Sequence, residues 1–142
     1  MRASLLVASL GLLGLLATPA LADPLSAARV VREKFAAFNR HDAAALEQLY
    51  ATDARLHSPD YPDLAGNKPI ADTYRRLFAA IPDASDDVMV LEAGPQRVYA
   101  QFVLHGHWAG ATDKPVSVRI IAVYRVRGGH IAEDDTYYDR TP

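Results

Sequence analysis

Cysteine is absent from the 142-residue chain. Without it there is no disulfide framework, no thiolate nucleophile, no iron–sulfur cluster and no cysteine-based zinc site. An excess of charge of one sign is also missing, because 15 lysines and arginines balance 17 aspartates and glutamates to a formal net charge of −2. This balance excludes the basic footprint of a nucleic-acid-binding protein. No run of like charge is long enough to form a polybasic membrane patch.

Long apolar runs are confined to the N-terminus. A basic start, Met1-Arg2, precedes an apolar stretch from Ala3 to Leu16, and Ala20-Leu21-Ala22 follows as an A-x-A cleavage box. The stretch is shorter than the ~20 residues that span a bilayer. We therefore expect residues 1–22 to be a signal peptide, cleaved after Ala22. The mature chain would then be periplasmic or secreted, without a stable membrane anchor; a retained anchor helix is the alternative.

The remaining residues, 23–142, suffice for one domain with a single core. Half of the chain is apolar and 23% is charged, which is the composition of a globular protein. Helical periodicity predicts helices over Leu25–Phe38 and Ala43–Tyr50, and a third helix between Pro69 and Ile81. Between the second and third helices we expect a short extended piece, Arg55–Ser58, and then a loop rich in turn-forming residues, 60–66.

The second half is predicted to form strands. Four alternating segments are bounded by turn-forming residues: Val88–Leu91, Arg97–Trp108, Val116–Val126 and Ile131–Asp139. The last two are joined by a Gly128-Gly129 hairpin turn. This order predicts an α+β fold, in which three N-terminal helices pack on one face of a curved, mostly antiparallel β-sheet.

The Gly128-Gly129 turn determines which residues of the final hairpin face inward. The even positions of Val116–Val126, Tyr124 among them, are apolar or aromatic and are predicted to face the core. A regular two-residue turn then brings three residues of the last strand to the same inner face: Glu133, Asp135 and Tyr137. Asp134 would point outward. Burial raises the pKa of a carboxyl group and suits it to act as a general base. The alternative is that Glu133 and Asp135 lie at the solvated mouth of the cone or pair with arginines.

His105 and His107 share one face of the third predicted strand. If the following loop leaves four residues unpaired, both face inward, although the other row, with Phe102 and Leu104, has the more core-like composition. An acid–base or substrate-orienting role and a merely satisfied histidine pair both remain open. A zinc site would need a third ligand that the sequence does not offer, so we expect no metal.

Several stretches in order resemble one family. They are NRHD, YATDARLHSP, LAGNKPI, LFAAIPDAS, LHGHWAG and AVYRVRGGHIAEDDTYYD. The chain is similar to the SnoaL-like family of the nuclear transport factor 2-like (cystatin-like cone) superfamily, whose members include polyketide cyclases, ketosteroid isomerase and limonene epoxide hydrolase. The resemblance implies a cone-shaped fold, dimerisation through the sheet, and Asp135 as the acid–base group, although EDDT stands where a tryptophan is often found beside the acid.

A small hydrophobic molecule is the expected ligand of such a cone. The candidate ligand-binding residues are His57, Tyr74, Trp108, Tyr124 and Tyr137. The helical spacing of Tyr74 equally suits plain core packing. Two functions follow. The first is a cofactor-free isomerase or cyclase in which Asp135 abstracts a proton next to a carbonyl, with Glu133 as a second candidate carboxylate, while His105, His107 or a tyrosine polarises the carbonyl. The alternative is a non-catalytic module that binds a small ligand or another protein.

Overall fold

The computed structural model describes residues 23–139, so the expected signal peptide and its cleavage site lie outside the described residues. The element order is three helices and six strands: α1 (Pro24–Asn39), α2 (Ala43–Leu49), β1 (Tyr50–Ser58), β2 (Tyr61–Ala65), α3 (Asn67–Ala80), β3 (Ser85–Ala93), β4 (Val98–Trp108), β5 (Ala111–Arg127) and β6 (His130–Tyr137). Within the described part of the chain, no helix is long and apolar enough to cross a membrane.

The six strands form one mixed sheet in the order β2-β1-β6-β5-β4-β3. Only β1 and β6 run parallel, and every other neighbouring pair is antiparallel. The core lies between the helices and one face of this sheet, where Phe35 of α1 meets Phe102 edge-to-face at 4.9 Å between ring centres. The predicted α+β cone is therefore confirmed.

Capping aspartates begin the first two helices. The Asp23 carboxylate accepts a hydrogen bond from the Ser26 backbone N–H at 3.1 Å, and Asp42 accepts one from Ala45 at 2.9 Å. These bonds satisfy backbone donors that the first helical turn leaves unpaired. Because the chain then turns directly from α2 into β1, the side chain of Tyr50 enters the core as the first residue of a strand.

One predicted loop is a strand. Residues 61–65 were expected to form turns, but β2 pairs with β1 in a tight hairpin, with Ser58 opposite Tyr61 and Arg55 opposite Ala65. Strand β2 lies at the edge of the sheet and has a neighbouring strand on one side only. Pro62, which has no backbone N–H to donate, is tolerated at such an edge. An edge position therefore accommodates a composition that is typical of a turn.

The inward prediction for Glu133, Asp135 and Tyr137 is wrong. Val126 pairs with Ile131 as expected, but Arg125 pairs with Glu133, so Ala132 is an extra residue that bulges from β6. Beyond the bulge, every side chain of β6 therefore lies on the face opposite to the one that a regular hairpin predicts. As a result, Asp134 pairs with Tyr124 and is 1% exposed.

The inward alternative for His105 and His107 is also wrong. Trp108 pairs with Ala111, but residues 112–114 are left out of the ladder, so that His107 pairs with Pro115 and not with Val116, one residue away from the inward placement. His105 therefore pairs with Ser117 and is exposed, while Phe102 and Gly106 lie on the buried face.

Candidate functional site

A cavity of about 410 Å³ opens between helices α1 and α3 and the inner face of the sheet. Its volume suits a small organic ligand. Apolar side chains form most of its wall, among them Phe38, Leu77, Leu104, Trp108, Val118 and Ile120. Two charged side chains, Lys34 and Asp86, interrupt this wall within the protein interior, with 4% and 2% of their side-chain surfaces exposed.

Lys34 of α1 and Asp86 of β3 form a buried ion pair. Lys34 Nζ lies 3.7 Å from Asp86 Oδ2. The lysine lies three residues after Val31 and four before Phe38, on the apolar stripe of the helix, so helical geometry directs it inward. This spacing was available in the sequence, but the lysine was not among the predicted site residues.

Aromatic rings surround the Lys34 ammonium. Five ring centres lie between 4.3 and 5.8 Å from Nζ, those of Phe35, Phe38, Tyr74, Phe102 and Tyr124. Such contacts stabilise a cation through the negative face of each ring. They also explain how an ammonium group is tolerated in the core with one carboxylate beside it.

Hydrogen bonds between the Asn39 side chain and the Asp86 backbone hold Asp86 in place. Its N–H donates to Asn39 Oδ1 at 2.7 Å, and its carbonyl accepts from Asn39 Nδ2 at 3.0 Å. Burial raises the pKa of the Asp86 carboxyl to about 6, against the opposing attraction of Lys34. A carboxyl with this pKa exchanges protons readily near neutral pH, which is the property required of a general acid or base.

A second buried carboxyl, Asp134, lies behind the cavity wall. Tyr50 donates to its Oδ2 at 2.5 Å and Thr136 Oγ1 donates to its Oδ1 at 3.1 Å. The Tyr50 hydroxyl is 3.0 Å from the hydroxyl of Tyr74. Burial raises the pKa of Asp134, while Lys34 and the two hydrogen bonds oppose the shift. Because Thr136 and Tyr74 line the cavity, they connect this carboxyl to it.

The predicted catalytic residues do not meet at the cavity. Asp135 is only partly buried, on the other face of β6 from Asp134. Glu133 forms ion pairs with Arg97 at 3.1 Å and Arg125 at 3.2 Å, which is the alternative role considered for it. The two histidines likewise lie outside the lining, where His105 is exposed and His107 Nδ1 bonds to Asp83 Oδ2 at 2.7 Å.

The predicted ligand-binding residues divide into two groups. Tyr74 and Trp108 line the cavity. The other three do not line it. Tyr124 is buried in the core, where its ring is one of the five around Lys34 Nζ. His57 is exposed and bonds to Asp63 at 2.5 Å, and Tyr137 is 55% exposed on the outer face of the sheet. Among residues 23–139, no three histidine or acidic side chains are grouped in a way that could hold a metal ion.

Solved structures share this fold. A protein of Catenulispora acidiphila with a ketosteroid isomerase-like fold, in complex with trimethylamine, is 25% identical, covers 78% of this chain and 85% of its own, and has a TM-score of 0.72. A candidate polyketide cyclase of Xanthomonas campestris is also 25% identical, with 82% and 92% covered and a TM-score of 0.75. An LEH-like epoxide hydrolase of Mycobacterium tuberculosis is 16% identical, with 82% and 84% covered and a TM-score of 0.72.

These similarities define the class of protein as a cone of the nuclear transport factor 2-like type. The model of the SnoaL-like domain matches residues 31–134, which is most of the chain. The chain therefore belongs to the SnoaL-like domain family. No curated protein matches it.

Proposed function

We propose that the cavity binds a small, mostly apolar molecule and that Asp86 transfers a proton at a carbon next to a carbonyl group. The observation that supports this most directly is the buried pair of Asp86 and Lys34 in the wall of a mostly apolar cavity. Perturbed carboxyls in concave sites are typical of acid–base catalysts. Trimethylamine in the Catenulispora protein gives a precedent for a small molecule bound to this fold.

The two charged groups divide the work of the proposed reaction. The Asp86 carboxylate accepts the proton from carbon, and the electron pair of the broken C–H bond moves into the carbonyl to form an enolate. Lys34 stabilises the negative oxygen that develops, which lowers the barrier because the cation is already in place. Where a carbon–carbon double bond of the substrate is conjugated with the enolate, return of the proton from Asp86 to the far carbon of that conjugated system completes an isomerisation, and no cofactor is required.

The reaction is testable with 2-tetralone, an apolar ketone with acidic α-protons, in D₂O. We expect the protein to accelerate α-proton exchange, measured by NMR, and the rate to rise with pH around a midpoint near 6 as Asp86 ionises. Asp86→Asn is expected to slow exchange by ~10²–10⁴-fold, the usual contribution of a positioned base. Asp87→Asn, at an exposed neighbouring position, is the matched control and should leave the rate unchanged.

A non-catalytic binding module is the second candidate function. It is favoured by the pairing of Asp86 with Lys34, because ion-pair networks perturb carboxyls without any catalytic role. Under this function, 2-tetralone exchange would proceed at the solvent rate with either variant.

We also propose that two copies associate through the outer face of the sheet. Tyr99, Ile121 and Tyr137 are 48%, 51% and 55% exposed there, and Ile121 pairs directly with Tyr137. An apolar sheet face of this kind is typical of an interface. Light scattering is expected to give a dimer, and Ile121→Lys a monomer at the same concentration. Glu33→Lys, at an exposed position on α1 away from the outer face of the sheet, should remain dimeric; a monomeric wild type at high concentration would remove the proposal.

Export is proposed from the N-terminal sequence alone. The cleavage box at residues 20–22 supports a mature chain that starts at Asp23 in the periplasm or the medium. N-terminal sequencing of the protein from the periplasmic fraction is expected to begin at Asp23. An uncleaved chain in the membrane fraction would contradict the proposal.

A further inference from the structure

The charged groups of the buried ion pair, Lys34 and Asp86, lie farther apart than a usual hydrogen bond. The 3.7 Å between Lys34 Nζ and Asp86 Oδ2 exceeds the usual N–H···O range of about 2.7–3.2 Å. Within residues 23–139, no third residue makes a side-chain hydrogen bond to the Lys34 ammonium or the Asp86 carboxyl, whereas the buried Asp134 carboxyl accepts from two other residues. Both charged groups therefore keep unused hydrogen-bonding capacity.

Leaving that capacity unused is costly in the interior. A buried ion pair repays its desolvation only when further hydrogen bonds satisfy the remaining donors and lone pairs. Aromatic rings occupy much of the space around Lys34 Nζ and offer no conventional acceptor atom, except for the two tyrosine hydroxyls. The cavity, which both Lys34 and Asp86 line, is the open side from which a further group can reach the pair.

The occupant must match both members of the pair. It needs one atom that accepts from the ammonium, a neighbouring atom that forms a hydrogen bond with the carboxyl, and an apolar body that fits the remaining wall. A carboxyl group provides two such oxygens in one plane. We propose that the Lys34–Asp86 pair is the binding subsite for the acid group of an apolar organic acid, which shares a single proton with Asp86.

This inference rests on the cavity of the proposed function but not on its reaction. Two adjacent carboxyl groups cannot both ionise at low cost, so the ligand is expected to bind together with one proton. The other titratable groups around Asp86 and Lys34 are His105 on β4, Tyr74 on α3, Tyr124 on β5 and Asp134 on β6. Lys34 remains the cation that contacts the ligand, and Asp86 is the group that takes up the proton.

Calorimetry on the full protein tests the inference with 2-naphthoate as the probe. Titrations at pH 7.5 in phosphate and in Tris, which differ in ionisation enthalpy, give the number of protons taken up. We expect uptake of about one proton, and affinity that falls about tenfold per pH unit above pH 6. The neutral probes 2-naphthamide and 2-naphthalenemethanol should bind at least tenfold more weakly and without proton uptake.

Variants test whether 2-naphthoate binding and proton uptake depend on Lys34 and Asp86. Lys34→Met is expected to weaken 2-naphthoate at least tenfold, while Arg32→Met, an exposed cation on the same helix, should leave its affinity unchanged. Asp86→Asn should bind 2-naphthoate without proton uptake. Thermal melts verify that each variant is folded, and the wild-type buffer comparison does not depend on any variant.

Three results would overturn the inference: 2-naphthoate binding no tighter than the neutral probes, proton uptake near zero, or no binding of any probe. The outcome is separable from that of the proposed reaction. Acid binding with proton uptake but without 2-tetralone exchange would remove the reaction and keep the subsite, and exchange without acid binding would do the reverse.

Discussion

Asp86→Asn is expected to stabilise the folded protein at pH 8 and to leave its stability unchanged at pH 4. The pKa of Asp86 is raised from 3.8 to about 6 in the folded state, so the fold disfavours the ionised form. For a group whose pKa is raised on folding, stability is highest at low pH and is lost as the pH rises through the folded pKa. A shift of about two units corresponds to about 3 kcal/mol, which asparagine recovers because it cannot ionise.

Urea unfolding at pH 4, 6 and 8 measures this effect. The difference in unfolding free energy between Asp86→Asn and wild type should be near zero at pH 4 and grow toward pH 8. Asp134 also has a raised pKa, but it is present in both proteins and largely cancels from the difference. Asp87→Asn serves as the control and should show no such trend. A variant less stable than wild type at pH 8 would show that attraction to Lys34 outweighs the burial of Asp86, as in a structural ion pair.

Stabilisation by Asp86→Asn would have a functional meaning. A group that lowers the stability of the native state and yet lines the cavity is typical of a site retained for binding or catalysis rather than for folding. The same substitution is expected to slow 2-tetralone exchange. The combination of higher stability with lower activity distinguishes a functional carboxyl from a structural one. Neutralising a structural carboxyl would instead lower the stability of the protein.

The fold was predictable because its signals are local and repeated. The apolar stripe of α1 and the strict alternation along β5 each extend over many residues, so a single ambiguous position does not change the assignment. The face of β6 was not predictable in the same way. It depends on one extra residue, Ala132, and in a strand a shift of one residue moves every later side chain to the opposite face.

The site was harder to predict than the fold because its two charged residues are far apart in sequence. Lys34 carries a local signal, since it lies on the apolar stripe of α1. Asp86 carries none: it stands between Ser85 and Asp87 at the polar start of β3, where the sequence indicates exposure. Only the packing of α1 against β3 brings the two together, and a pairing across 52 positions has no periodicity to reveal it.

Gly106→Ala is expected to destabilise the protein by about 1–3 kcal/mol through overpacking. Gly106 lies on the buried row of β4, against the segment that follows α3. A methyl group added there would lie 2.3 Å from Cγ2 of Ile81 and 3.3 Å from Cα of Ala84. Both neighbours are themselves buried, and the Ala84 N–H donates to the Ile81 carbonyl at 3.0 Å, so neither is free to move away.

Gly94→Ala is the matched control, because its added methyl would have ordinary contacts of 3.5 Å or longer. Urea unfolding of both variants at one pH gives the comparison, and Gly94→Ala should stay within about 0.5 kcal/mol of wild type, as surface substitutions usually do. Because Ile81 lines the cavity, displacing it should also weaken the binding of apolar probes to Gly106→Ala. Equal stability of the two variants would mean that the segment after α3 yields easily, and that glycine at this position is not what allows it to pack against β4.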